Sequence, residues 1–230
     1  MKKSVGVFII SVFMITITKV GWADWKYVNN LTAIDKKIAE ETRKIERELD
    51  ENNQGERLKQ AYIQRSALYG LNGCYEEALS DLYKVLEITP TDSAVYNNIA
   101  WMRYKLADYN KALDNANRAL EIDPDNYFVL NTRALIYVEL DRLDEAMQDI
   151  RIAIERNERH GFSYFTRGII HYSQGKKNLA CHDFQRARTL DKNLQQDIDR
   201  FRAQNWQNRS HGHEAVSILP QGKVYLAGLK

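Results

Sequence analysis

Residues 93–126 read SAVYNNIAWMRYKLADYNKALDNANRALEIDPDN, and this stretch sets the register of the whole chain. Laid over its flanks without a gap, it recurs every 34 residues, giving copies at 59–92, 93–126, 127–160 and 161–194. A small residue fills the eighth place of each copy (Ser66, Ala100, Ala134, Gly168), and alanine fills the twentieth (Ala78, Ala112, Ala146, Ala180). The twenty-seventh place is again small or β-branched: Val85, Ala119, Ala153, Ala187. Pro90 and Pro124 close the first two copies, while Glu158 and Lys192 stand at that place in the last two. A self-similar period of this length marks stacked supersecondary units, none of which buries its own apolar face.

Within a copy the apolar spacing predicts two helices. In the second copy Tyr96, Ile99 and Ala100 share one helical face, and Tyr109, Ala112, Leu113, Ala116 and Ala119 share another. Asp108 suits an N-cap between them, and Pro124 ends the second helix. The small places let the two helices approach to the short end of the roughly 8–10 Å packing range. A large side chain at Ala112 or Ala146 is therefore expected to cost about 1–3 kcal/mol. One covariation sits on the same register. The seventh place is Arg65, Arg133 and Arg167, and the twenty-third is Asp81, Asp149 and Asp183. In the second copy both change together, to Ile99 and Asn115. The two places are expected to face each other as a guanidinium–carboxylate bridge, a structural device repeated three times and not a catalytic one.

The period, the small places and the closing prolines resemble those of the tetratricopeptide repeat family. The resemblance covers 59–194 and implies an all-α, right-handed superhelical solenoid of helix–turn–helix units, with 195–206 as a terminal capping helix. It also implies a concave groove lined by the first helices, which holds an extended peptide or a partner helix. Carried over place by place, the groove residues are Gln64, Asn97, Asn98, Trp101, Tyr104, Phe128, Asn131, Thr132, Phe162, Phe165, Thr166 and Ile169. Amides and hydroxyls at a fixed pitch can grip a peptide backbone, with aromatic pockets for its side chains. Lys105 and Glu139 are the few charges there. The family's clamp for a C-terminal carboxylate is missing: Asn98 fits its pattern, but Ile63, Ala67, Phe128 and Thr132 do not.

The amino terminus is a different text. Lys2 and Lys3 precede the uncharged run Val5–Thr18, and Gly21-Trp22-Ala23 places small residues three positions and one before Asp24. That is the layout of a secretory leader cleaved after Ala23, predicting a periplasmic or secreted protein. The run falls short of the about 20 residues a membrane-spanning helix needs, so membrane association is expected only if the leader is retained. The chain carries 33 basic and 31 acidic residues, and losing Lys2, Lys3 and Lys19 leaves 30 against 31. With no basic surplus, neither nucleic acid nor an anionic lipid surface is an expected partner.

Residues 24–58 hold a charged helix, read over Trp25–Asn53, with the stripe Leu31, Ile34, Ile38, Ile45, Leu49. Glu41 and Glu48 spoil its heptads, so packing against the first repeat is favoured over a dimerising coiled coil. After 207 two short apolar runs, Ala215–Leu219 and Lys223–Leu229, flank Pro220-Gln221-Gly222. This tail (207–230) is read as a hairpin, docked or disordered. His211, His213 and Glu214 offer zinc ligands without an anchored third partner, so no metal is predicted. His171, at a packing place, reads as a core histidine. Cys74 and Cys181 lie two repeats apart, too far for a bridge, and are expected as free, buried or half-buried thiols. There is no phosphate loop, nucleophile elbow or Cys-x-x-Cys. The sequence therefore predicts a non-enzymatic scaffold without cofactor or small-molecule substrate. Its partner is a protein or peptide segment, and its setting is a bacterial envelope. The alternative is an assembly part that forms a homo-oligomer through the N-terminal helix or the tail.

Overall fold

The computed structural model describes residues 22–51 and 55–206, and all its regular structure is helical. In chain order the helices are α1 (Trp22–Asp50), α2 (Glu56–Leu71), α3 (Tyr75–Ile88), α4 (Ser93–Lys105) and α5 (Tyr109–Ile122). They continue as α6 (Tyr127–Glu139), α7 (Leu143–Arg156), α8 (Gly161–Ser173), α9 (Lys177–Leu190) and α10 (Leu194–Trp206). Second helices begin at the seventeenth place and end at the thirtieth in all four copies. The leader lies outside the described residues except for Trp22 and Ala23, which open α1; the tail after Trp206 lies outside them too.

The turn inside each repeat carries a signature that the small-residue register does not reveal. The fifteenth place has positive φ throughout: Gly73 (80°), Ala107 (58°), Asp141 (57°) and Gly175 (78°). The following N–H then reaches back five residues, as Cys74 to Tyr69 O, Asp108 to Arg103 O, Arg142 to Tyr137 O and Lys176 to His171 O, at 2.8–3.0 Å. These bonds satisfy carbonyls at the end of the first helix and fold the second back on it. Only the first and last copies place glycine there. Caps follow a second register, at the thirty-fourth place. Asp92 Oδ1 accepts from the N–H groups of Ala94 and Val95, and Asn126 Oδ1 from those of Phe128 and Val129. Asp108 stands at the N-cap of α5 without capping it; its carboxylate turns to Lys111 (3.1 Å) and Arg103 (3.5 Å).

All the small residues at the eighth, twentieth and twenty-seventh places lie in the interior except that Gly168 has no side chain to bury. A Cβ on Gly168 would come within 2.6 Å of the Phe184 ring, so the fourth repeat trades a glycine on one helix for a phenylalanine on the other. The three arginines meet their aspartates in forked pairs. Nε and Nη2 of Arg65 donate to Asp81 at 2.8 and 2.7 Å, those of Arg133 to Asp149 at 2.7 and 2.8 Å, and those of Arg167 to Asp183 at 2.9 and 2.6 Å. Burial pushes the Asp81 carboxyl above its ordinary value even with the guanidinium on it. In the second repeat Ile99 takes the arginine's place, and among the described residues Asn115 donates to Lys111 O.

The third nitrogen of the fork ties neighbours together. Arg133 Nη1 donates to Asn117 of the preceding repeat at 2.9 Å, and Arg65 Nη1 donates to Thr42 of α1 at 3.0 Å. α1 thus stands where a preceding second helix would, with Ile45 buried against α2 and Asn72 bonded to Asp35. Further along, Asn131 Nδ2 donates to Ser163 Oγ (2.9 Å) between the third and fourth repeats, and Tyr104 Oη to Glu139 (3.2 Å) between the second and third. Between the first and second, the side-chain bond is Arg103 Nη2 to Tyr83 Oη, 3.4 Å long and at the surface. α4 lies close on α6 and α6 on α8, an approach the second helices α5, α7 and α9 do not make to one another. The stack therefore curves with its first helices inside. Leu194, Ile198 and Phe201 of α10 are buried at its end, Phe201 edge-on to Phe184 at 5.4 Å.

Candidate functional site

The inner face is built from α2, α4, α6 and α8. An aromatic line runs along it. Trp101 stacks on Tyr104 (ring centroids 5.4 Å apart), and Lys105 lies over the Trp101 ring at 5.6 Å. Phe128 contacts Tyr127 (4.2 Å) and His160 (5.3 Å), His160 faces Phe162 (6.2 Å), and Phe162 leads to Phe165 (5.8 Å). Burial, with help from Glu139, holds the Tyr104 hydroxyl well above its ordinary range. Burial brings Lys105 down to about 8, with Asp197 of α10 opposing that shift and Arg200 adding to it.

Of the twelve residues assigned to the groove, Gln64 is exposed and Phe128 half-buried. Asn97, Asn98, Trp101, Tyr104, Asn131, Thr132, Phe162, Phe165, Thr166 and Ile169 are buried. Gln64 stands apart from the others, in a cleft between α1 and α2 with Glu41, Lys44 and Gln60. Trp101 belongs to the core as well as to the inner face. It is 3% exposed and packed on Tyr104, so its removal costs stability as well as surface.

The polar members divide by whether the next repeat supplies a partner. Asn131 donates to Tyr127 O (2.7 Å) and to Ser163 Oγ (2.9 Å). Asn97 occupies the same place one repeat earlier, but Val129 stands where Ser163 would be. At 1% exposure, its Nδ2 and Oδ1 have no hydrogen-bond partner among the described residues. Asn131 Oδ1 and Thr166 Oγ1 are likewise buried and unpaired among the described residues. Thr132 satisfies its hydroxyl on Phe128 O at 3.1 Å.

His160 is the residue the sequence reading missed. It stands at the thirty-fourth place, where Asp92 and Asn126 cap their helices, and it makes no cap bond. Its Nδ1 lies 2.9 Å from Ser163 Oγ, the acceptor of Asn131. Burial brings its imidazole down to about 4, so it is neutral at pH 7. The change from Asp92 and Asn126 to histidine at this place was the available signal. Ser163 is wholly buried. His171 lies 3.7 Å from Asp183, inside the ion-pair layer of the fourth repeat. Cys74 is half-buried and Cys181, expected at least half-buried, is exposed; both are free thiols. Among the described residues no cluster of three or more His, Cys, Asp or Glu could hold a metal, and no helix is long and apolar enough to cross a membrane. His211, His213 and Glu214 lie outside the described residues.

No curated protein matches this chain. Two family models, both described as tetratricopeptide repeat, match residues 59–125 and 115–148. Among solved structures, the chain is similar to MamA, with a TM-score of 0.54 at 17% identity over 75% of this chain and 96% of that one. It is also similar to TTC0263, a tetratricopeptide protein of Thermus thermophilus, with a TM-score of 0.58 at 20% identity over 60% and 77%. YrrB, titled a tetratricopeptide protein with an unusual peptide-binding site, gives 0.50 at 16% identity over 73% and 82%. At these identities the likeness is one of fold. With its 34-residue helix pairs, inner first helices and repeat models matching 59–125 and 115–148, the chain has the tetratricopeptide repeat fold.

Proposed function

We propose that this protein is an exported, non-catalytic adaptor that holds an extended protein segment against α4, α6 and α8. The observation that carries the reading is Asn97. Leaving a buried amide unpaired costs about 1–3 kcal/mol, a cost a scaffold tolerates where a ligand backbone supplies the missing bonds. Aromatic side chains flank it at Trp101, Tyr104 and Phe128, and a related fold, YrrB, is described as binding peptide. The leader-like composition of residues 1–23 supports export, and with it a role in envelope assembly, regulation or secretion of a bacterium. Oligomerisation through α1 is the weaker alternative, because Ile45 of its apolar stripe is buried within the same chain.

Asn97→Leu is the decisive variant, since leucine keeps the volume and removes the unpaired atoms. Chemical denaturation is expected to show unchanged or increased stability. Photo-crosslinking in the native compartment is expected to lose the partner that wild type captures. Loss of stability would mean that Asn97 already has its partner inside the fold. Retention of the same partner would move binding off this face.

A further inference from the structure

Three residues with buried, unpaired polar atoms recur along the inner face. Asn97 Nδ2 and Oδ1, Asn131 Oδ1 and Thr166 Oγ1 belong to α4, α6 and α8, one residue per repeat. Helices packed at about 8–10 Å set such groups about three residues apart along an extended chain, which rises about 3.3 Å per residue. An extended segment laid along α4, α6 and α8 therefore passes the three residues in turn.

The chain itself brings such a segment to the groove. α10 ends at Trp206, and its last turn is held on the inner wall. Tyr172 Oη donates to Asn205 O at 2.7 Å, and Phe201 sits edge-on to Tyr172 at 5.2 Å. α10 packs on α8, the last of the inner helices, and so lies beside the groove. Residues 207–230 follow, outside the described residues. Their first eight, QNRSHGHE, are polar and span at most about 26–29 Å. That covers the two helix spacings from α8 to α4. The runs AVSIL and KVYLAGL come next, with no acidic residue in either.

We propose that residues 207–230 of this same chain are the resident occupant of the groove, laying their two apolar runs along α8, α6 and α4. The proposal rests on the peptide-groove reading and gives it a regulatory form, in which an external segment binds only by displacing the tail.

The test uses the full chain with a photoreactive benzoylphenylalanine in place of Tyr225, irradiated at low concentration and mapped by mass spectrometry. Cross-links within one chain to the α4–α8 inner face are expected. Cross-links to the outer helices, cross-links between chains, or none at all overturn the proposal. A second arm titrates a labelled synthetic peptide of residues 207–230 into wild type and into the full-length double variant Ile218→Asp/Leu226→Asp. The variant is expected to bind it at least ten-fold more tightly, because its own tail no longer competes. Equal binding, or binding to neither, rejects the resident tail. If the groove still holds its external partner while residue 225 fails to cross-link, the tail proposal alone falls. If Asn97→Leu also retains the partner, the groove reading falls with it.

Discussion

Ala107 and Asp141 show what a repeat tolerates residue by residue. Each holds a left-handed backbone that its first and last counterparts give to Gly73 and Gly175. That conformation costs an ordinary L-residue about 1–2 kcal/mol. Ala107→Gly is therefore expected to raise stability by about 1 kcal/mol in urea unfolding, glycine's extra chain entropy offsetting part of the relief. The forked arginine pairs were legible because the seventh and twenty-third places change together, and the one copy that loses both made the pairing visible. The turn was not, since only two of its four positions carry glycine. Asn97 was legible as a groove place but not as an unpaired amide, because its missing partner depends on Val129, 32 residues away.

At the scale of the helix pair, the ion bridges and the small places do different things. The alanines set the distance between helices; the bridge fixes which turn faces which. Removing one partner strands the other where water is scarce, so Asp149→Ala is expected to cost about 3–5 kcal/mol. Replacing both, as Arg133→Met with Asp149→Leu, is expected to come within about 1 kcal/mol of wild type, because the pair's desolvation is lifted along with its attraction. A thermal melt of the two variants side by side reads the difference. If the double variant melts as low as the single one, the bridge itself is the source of stability. The first helix, read over Trp25–Asn53, runs over Trp22–Asp50, and the last, read over 195–206, runs over Leu194–Trp206. The burial of Trp101 was not legible, since the groove register says which way a residue points and not how tightly the next helix closes on it.

For the molecule as a whole, acid is the natural perturbation. His160 has its imidazole brought down to about 4 by burial, whereas an unfolded chain protonates histidine near about 6.5. Below about 6.5 the unfolded state takes up a proton that the folded state refuses. Stability is thus expected to fall between about pH 6.5 and 4, by on the order of 3 kcal/mol, and to level off below. His171, also lowered by desolvation, adds in the same direction. His160→Asn, which restores the capping residue type of Asn126, is expected to flatten the profile measured by denaturant midpoint against pH. A profile unchanged by that variant would place the titration elsewhere.

The poorly tied junction between the first and second repeats gives the stack an unequal response to load. Among the described residues every other repeat junction, and that with α1, is crossed by a side-chain bond of 3.2 Å or less. Among the described residues the side-chain bond found here is a 3.4 Å surface contact, and α2 does not close on α4 as α4 closes on α6. Under tension between its ends, the protein does not lengthen evenly like a spring. It tears along one line, shedding α1 with the first repeat as a block and leaving the three repeats that carry Asn97, Asn131 and Thr166 whole.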